Sequence, residues 1–190
     1  MAAGLIDMGK FVVVTRELSR HRESGPTPPA EASLSLVLRS LQDPEHMARL
    51  DAFVSEGAAR ATGGEVYEVL FAVRGPWDKM PSHAVYAVWE IQDGGRAAAF
   101  VESRRQLFTV RQQVLPTFAA DWLLKHHDQE GRYMVVGFYG DEEGASRLCR
   151  EHPKIKQFAA AHPASYYSAV DLTGLLCWRI EGLSPVAGTV

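Results

Sequence analysis

Two histidines occupy positions from which they could move a proton. His126 ends an alternating apolar series that begins at Phe118, and alternate residues of a strand lie on one face. His83 shares a face with Trp89 on another predicted strand. Histidine changes charge near neutral pH, which suits a general base or a proton donor. Because both histidines are close to predicted strand ends, they could instead simply contact water.

Aromatic side chains are frequent in the predicted strands and could line a pocket for a flat ligand. The residues that we predict to bind substrate are Trp77, Trp122, Tyr86, Tyr133 and Tyr139. Small-molecule pockets combine apolar and aromatic walls with a few polar anchors. Strand aromatics also build hydrophobic cores, so each residue taken alone could be a core residue. Trp77 differs, since its loop could cover a pocket mouth.

Other kinds of site find little support in the sequence. His126, His127 and Asp128 are consecutive, and neighbouring strand residues point to opposite faces, so these three would chelate a metal poorly. The chain has no glycine-rich nucleotide-binding loop and no G-x-S-x-G motif. We therefore predict no metal and no tightly bound cofactor, although reduced flavin could be held loosely.

The composition is typical of a globular protein without a basic surface for nucleic acid. The 190 residues are 46% hydrophobic and 23% charged, and the formal net charge is −3. No apolar run approaches the roughly 18 residues of a membrane helix, and residues 1–10 do not resemble a secretion signal. Cys149 and Cys177 lack metal-ligand spacing and fit reduced core residues. We predict a cytoplasmic protein that binds neither nucleic acid nor membrane.

A strand followed by a helix occurs twice, at an offset of about fifty residues. The two copies are 85–100 and 133–148. Each has an apolar strand that ends near an aromatic residue, then an acidic turn, then an amphipathic helix. This repeat predicts a duplicated α+β unit whose two sheet halves enclose a cavity.

The predicted elements place single helices between paired strands. Strands are predicted at 11–18, 33–41, 65–74, 83–91, 117–127, 132–139 and 165–181, and helices at 43–61, 96–114 and 142–161. Asp43 is the predicted N-cap of the first helix, with Pro44 at its first position. This order favours an α+β fold of two ferredoxin-like units, with antiparallel sheets and helices packed on one face. We assign 1–32 to an N-terminal strand and Pro/Gly-rich loop, 33–116 to the first unit, and 117–190 to a shortened second unit.

Several segments resemble one known family. They are 88–90 (VWE) before an acidic turn and an alanine-rich helix, 115–118 (LPTF), 131–136 (GRYMVV), and the helix 142–158 with its His-Pro element. Together they resemble the antibiotic-biosynthesis monooxygenase family, ferredoxin-like proteins of the dimeric α/β-barrel superfamily. The resemblance covers 81–180.

The resemblance implies a small cavity between sheet and helices and an oxygenase that acts on an aromatic polyketide. Members of the family often need no metal or tightly bound cofactor, and some relatives of similar two-unit build use reduced flavin for ring cleavage. The strand tryptophan of the family corresponds to Trp89, which the resemblance makes a catalytic candidate. An asparagine acts in some members, but this chain contains none.

Three hypotheses follow from the residues and the resemblance. The first is an oxygenase of an aromatic polyketide intermediate in bacterial natural-product biosynthesis, cofactor-free or using reduced flavin from a separate reductase, with His126, His83 and Trp89 as catalytic candidates. The second is a non-redox cyclase or isomerase. The third is a small-molecule-binding protein without catalysis. We expect O₂ and an aromatic polyketide as ligands, a homodimer, and one active cavity per chain beside Trp89.

Overall fold

The computed structural model describes residues 5–6, 9–18 and 29–185. Its strands are β1 (Phe11–Leu18), β2 (Leu34–Ser40), β3 (His46–Phe53), β4 (Glu65–Arg74), β5 (His83–Ile91), β6 (Phe118–His126), β7 (Arg132–Tyr139), β8 (Ala169–Asp171) and β9 (Leu176–Pro185). Its α-helices are α1 (Glu56–Arg60), α2 (Ala97–Val114), α3 (Cys149–Glu151) and α4 (Pro153–Ala161). A π-helical turn, Gly144–Leu148, precedes α3, and short 3₁₀ turns precede α2 and β8.

Eight of the described strands form a closed antiparallel barrel. The order is β7-β6-β4-β1-β3-β2-β9-β5, and pairing of β5 with β7 closes the barrel. The first half of β5 pairs with β9, and its last three residues pair with the short β8 on the same edge. The predicted α+β class and antiparallel strand pairing are confirmed.

One strand order occurs twice around the barrel. The two sets are β4-β1-β3-β2 and β9-β5-β7-β6. When the four strands of each set are numbered along the chain, with the short β8 left out, both sets have the spatial order 4-1-3-2. The fourth strand of each set pairs with the second strand of the other, through β4–β6 and β2–β9. The strand pairs therefore group 11–74 and 83–185, whereas the division predicted from the sequence lies at 116/117. The predicted domain boundaries stay a prediction.

The sequence repeat has a different meaning from the one that we expected. Its two copies correspond to β5 with α2 and to β7 with the helical segment that follows it. Because β5 and β7 pair directly, both copies lie within one four-stranded set. The repeat therefore does not relate the two halves of the barrel.

The predicted helix 43–61 is wrong over most of its length. Residues 46–53 form β3, which pairs with both β1 and β2, and only Glu56–Arg60 is helical. Asp43 begins the turn between β2 and β3, where its Oδ1 accepts the backbone N–H of Glu45 at 3.2 Å. An Asp-Pro pair starts turns as readily as helices, and two partner strands here outweigh the local signal. Ser55 is the actual N-cap of α1.

The C-terminal elements match the prediction in part. The break at His152-Pro153 is confirmed, since α4 begins at Pro153. The predicted long strand 165–181 is a 3₁₀ turn followed by β8 and β9. Ser168 (φ 54°) and Gly174 (φ 65°) interrupt it with left-handed backbone, which a continuous strand cannot contain.

Two main hydrophobic cores hold the fold together. Inward strand residues such as Leu36, Leu50 and Val136 fill the barrel, and α2 packs Phe100 and Phe108 against its outer surface. Burial of each such side chain contributes roughly 1.5–3 kcal/mol. In the chain as described, no helix is both long enough and apolar enough to cross a membrane.

Candidate functional site at one end of the barrel

The barrel wall separates the predicted site residues into two groups. Tyr86 and Trp122 belong to the interior core, which Trp77 also contacts. The residues in or against the outer core are Trp89, Tyr133 and Tyr139. Since alternate strand residues face opposite sides of the wall, one cavity cannot be lined by both groups.

Trp122 closes the end of the barrel at which β1 begins. Its Nε1 donates a 2.8 Å hydrogen bond to the backbone carbonyl of Leu5, and its ring packs edge-on against Phe138. Trp77 lies over Gly140 near this end, so closely that a Cβ on Gly140 would overlap the indole. Both tryptophans therefore have packing roles here, and their predicted contact with substrate stays a prediction.

His126 stabilises the turn between β6 and β7. Its Nδ1 accepts the backbone N–H groups of Asp128 and Gln129, both at 3.1 Å, and its ring packs against Tyr67 at 4.9 Å. Burial, with the nearby Arg132 charge, lowers the pKa of His126. An acceptor Nδ1 and a lowered pKa both favour the neutral ring.

His83 lies on the outer face of β5, and it shares this face with Trp89, as their alternation predicts. The Ser82 hydroxyl donates to the Gly140 carbonyl at 2.7 Å, so its oxygen can accept from His83 Nδ1 at 2.8 Å. Among the described residues, the buried Nε2 has no hydrogen-bond partner, and Glu142 is 4.0 Å away. Burial lowers the pKa of His83.

The indole of Trp89 is covered from outside the barrel. Phe100 packs on it with a centroid separation of 6.1 Å, and the Arg104 guanidinium lies 5.7 Å from its ring. Burial lowers the pKa of Arg104 to about 10. The predicted catalytic role of Trp89 stays a prediction, and these contacts place it in the helix–sheet packing.

A buried ion pair lies deeper under α2. Arg111 Nη1 is 3.0 Å from Asp121 Oδ2, and both side chains are almost fully buried. Burial raises the pKa of Asp121 to about 6, and Arg111 opposes this rise. Asp121 Oδ1 and the Tyr139 hydroxyl have no hydrogen-bond partner in the described part of the chain. Asp121 and Tyr139 lie close to α2 and therefore belong to the outer face of the barrel wall.

The candidate site is a cavity of about 550 Å³ at the end of the barrel where β1 and β2 finish. Its lining consists of Arg16, Ser40, Gln42, Asp43, His46, Met47, Tyr86, Leu176 and Trp178. Tyr86 is thus the predicted substrate-binding residue that lines this cavity. We call this space the mouth pocket.

An aromatic pair forms one wall of the mouth pocket. The rings of Tyr86 and Trp178 are stacked, 5.2 Å apart and inclined by 17°. Trp178 Nε1 is buried and has no hydrogen-bond partner within the residues described. A flat apolar wall suits a planar aromatic ligand.

A histidine–carboxylate pair lies at the rim of the same pocket. His46 Nδ1 is 2.7 Å from Asp43 Oδ2, and both side chains are about half exposed. A carboxylate that accepts from Nδ1–H leaves Nε2 as the acceptor and fixes the ring orientation. Neither residue was predicted to belong to a site, because both fall within the predicted helix 43–61. Their spacing across a turn between two strands is the signal that could have identified them.

Charged residues continue from the rim into the barrel. Glu65 accepts the Tyr67 hydroxyl at 3.1 Å and lies 3.9 Å from Arg16 and 3.5 Å from Arg132. Burial, together with the Glu65 charge, raises the pKa of Tyr67 to about 12, so its hydroxyl remains a donor. Across residues 5–6, 9–18 and 29–185, no three His, Cys, Asp or Glu side chains converge in a way that could hold a metal ion.

Comparisons with known proteins identify the fold. No family model matches the chain, and no curated protein is similar to it in sequence. An anthrone oxidase-like protein of known structure superposes with a TM-score of 0.63 at 10% identity, over 95% of each chain. A ferredoxin fold protein of Listeria monocytogenes, related to antibiotic biosynthesis monooxygenases, gives 0.58 at 11% identity over 95% of this chain and 99% of that one. A heme-degrading enzyme of the same organism gives 0.54 at 11% identity over 90% and 99%.

These similarities bear on the fold alone. The resemblance to antibiotic-biosynthesis monooxygenases, predicted from 88–90 and the segments after it, is confirmed at that level. A shared fold carries several chemistries, so the activity has to be argued from the site.

Proposed function

We propose that this protein is an oxygenase of a planar aromatic small molecule, of the aromatic polyketide type, bound in the mouth pocket. The observation that carries the proposal is one cavity in which the stacked Tyr86–Trp178 pair meets the histidine–carboxylate pair His46–Asp43. The first pair gives a flat surface for the ring system. The second gives an oriented base at the pocket rim, where O₂ has access from solvent.

Deprotonation is the step that the residues can perform. A cofactor-free reaction with O₂ needs an electron-rich substrate anion, and His46 Nε2 is the group able to take that proton. For an anthrone, the methylene carbon gives four electrons to O₂. One oxygen atom becomes the new ketone, and the other leaves as water with the two methylene hydrogens. The balance requires no external reductant.

Reduced flavin is the alternative source of electrons. The chain lacks a phosphate-binding loop, so flavin would reach the pocket as a diffusible co-substrate from a separate reductase. The twofold strand order supports a proposal of two fused ferredoxin-like units. Since the barrel closes within one chain, a second copy is not needed to cover its inner face, and the homodimer stays a prediction.

Heme degradation is a second candidate, which one observation favours. Asp43 holds His46 Nδ1, which leaves Nε2 as the ring nitrogen that could bind a metal, an arrangement typical of metal-binding histidines. The similar fold of the Listeria heme-degrading enzyme supports testing it. Titration with hemin distinguishes the two candidates, since a Soret shift that is lost in His46→Gln would favour heme.

The test of the proposal is O₂ consumption with anthrone, with and without reduced flavin. We expect turnover that falls about 10²- to 10⁴-fold in His46→Gln, as for loss of a general base. The matched control is His162→Gln, a histidine beside α4 that stacks on Phe158 outside the barrel. Turnover without O₂ would indicate the cyclase or isomerase. Ligand binding without turnover would indicate a binding protein.

A further inference from the structure

Arg16 is the cation that lines the mouth pocket. Its side chain is 47% exposed although it belongs to β1, a strand in the middle of its four-stranded set. Among the described residues, its ion-pair partner is Glu65 at 3.9 Å, too long for a hydrogen bond. Within these residues, the guanidinium therefore keeps donors that a ligand could use.

Glu65 is shared among three groups. It accepts the Tyr67 hydroxyl, and its other oxygen lies 3.5 Å from Arg132 Nη2. Arg132 also donates to Gln129 at 2.7 Å and is anchored at the β6–β7 turn. One carboxylate thus faces two guanidinium groups, so Glu65 alone does not neutralise Arg16.

The acidic residue that lines the pocket, Asp43, interacts with other groups. Asp43 is occupied by His46 and by the backbone N–H of Glu45. Burial raises the pKa of the Tyr86 phenol, whereas the Arg16 charge opposes that rise. Arg16 and Tyr86 line the same cavity, so the guanidinium lies near the stacked aromatic pair, where the edge of a bound ring would lie.

We propose that the mouth pocket selects hydroxy-aromatic ligands in their anionic form, with the ring on Tyr86 and Trp178 and the anionic oxygen on the Arg16 guanidinium. The inference rests on the proposed function, because it names the substrate class of the same pocket. A guanidinium is suited to this role, since its donors are fixed in a plane and its charge persists at every accessible pH. The same contact would stabilise the anion that forms when His46 removes a proton.

Anaerobic binding of two matched probes tests the proposal. The first is 2-hydroxy-1,4-naphthoquinone, which is an anion at pH 7, and the second is its 2-methoxy ether, which has no charge. Calorimetric titration should show tighter binding of the hydroxy compound. Arg16→Gln should weaken that binding about 10- to 100-fold, the range for a charge-assisted hydrogen bond, and leave the ether unchanged.

Two further variants sharpen the result. Glu65→Gln removes the competing charge but keeps an acceptor for Tyr67, so it should tighten binding of the anion. Arg74→Gln is the matched control, because Arg74 is exposed at the far end of β4 and should have no effect. Melting temperatures of all variants show that they are folded.

The outcomes separate this inference from the oxygenase proposal. Equal affinity for both probes, no loss in folded Arg16→Gln, or no binding of the anion would overturn the anion site, whatever the protein does with O₂. Arg16-dependent binding of the anion would support the site even in a protein that consumes no O₂ with anthrone, in which case only the oxygenase proposal fails.

Discussion

The indole of Trp122 is hydrogen-bonded to the backbone carbonyl of Leu5, 117 positions away in the chain. Leu5 is 1% exposed and belongs to the interior core, so it packs at one end of the barrel. The mouth pocket lies at the other end. In the described part of the chain, the packed end around Trp122 and Leu5 is thus opposite the mouth pocket.

Trp122→Phe should destabilise the protein by about 1–3 kcal/mol, because the buried Leu5 carbonyl loses its donor while most of the ring volume remains. Denaturant unfolding measures the change. Trp77→Phe is the control, since its Nε1 makes only a long 3.4 Å contact with the Met80 carbonyl. Equal effects of the two substitutions would show that the Leu5 contact does not stabilise the barrel.

The pH dependence of stability should contain a contribution from His126. Its pKa is lowered on folding from 6.5, so the unfolded state binds the proton more tightly and stability is lost as pH falls below about 6.5. His126→Asn keeps an acceptor for Asp128 and Gln129 that cannot be protonated, and should flatten this part of the profile.

Thermal unfolding from pH 7.5 to 5 measures the difference in stability between wild type and His126→Asn. His83 contributes with the same sign, whereas Asp121, whose pKa is raised to about 6, contributes stability that is lost as pH rises. Parallel profiles for the two proteins would contradict the assignment of His126 as a neutral turn acceptor.

Removal of one partner of the Arg111–Asp121 pair should be strongly destabilising. Arg111→Met leaves a buried carboxylate unpaired and should cost about 3–5 kcal/mol, while the double variant Arg111→Met/Asp121→Leu should lose much less. Denaturant unfolding of the double-mutant cycle gives the coupling. The exposed Arg105–Glu102 pair is the control, with at most about 1 kcal/mol expected for Arg105→Gln. Similar losses at both pairs would contradict burial as the cause.

Much of the fold was predictable from local sequence, because several strands carry strong signals. The bounds of β1, β4 and β5 agree with the predicted 11–18, 65–74 and 83–91, where apolar and β-branched residues dominate. The turn Asp43–His46 misled the prediction, since Asp-Pro starts both helices and turns and only the partners of β3 decide between them.

The candidate site was less predictable, for a physical reason. The alternation on β5 places His83 and Trp89 on one face, but it does not say which face is inside the barrel. That depends on closure through the β5–β7 and β2–β9 pairs, which are long-range contacts. Trp178 and His46 approach Tyr86 only through the same closure, so no local pattern joins them.

The most direct measurement is the oxidation of anthrone by wild type and by a variant whose mouth pocket is filled. Met47 lines the pocket, and Met47→Trp should occupy the space beside the stacked pair. Val54→Trp is the matched control, because Val54 is 62% exposed and does not line the pocket. The account predicts O₂-dependent oxidation by wild type and Val54→Trp, with a loss of at least about tenfold in Met47→Trp. Wild-type activity in folded Met47→Trp, or no oxidation by wild type with or without reduced flavin, would contradict it.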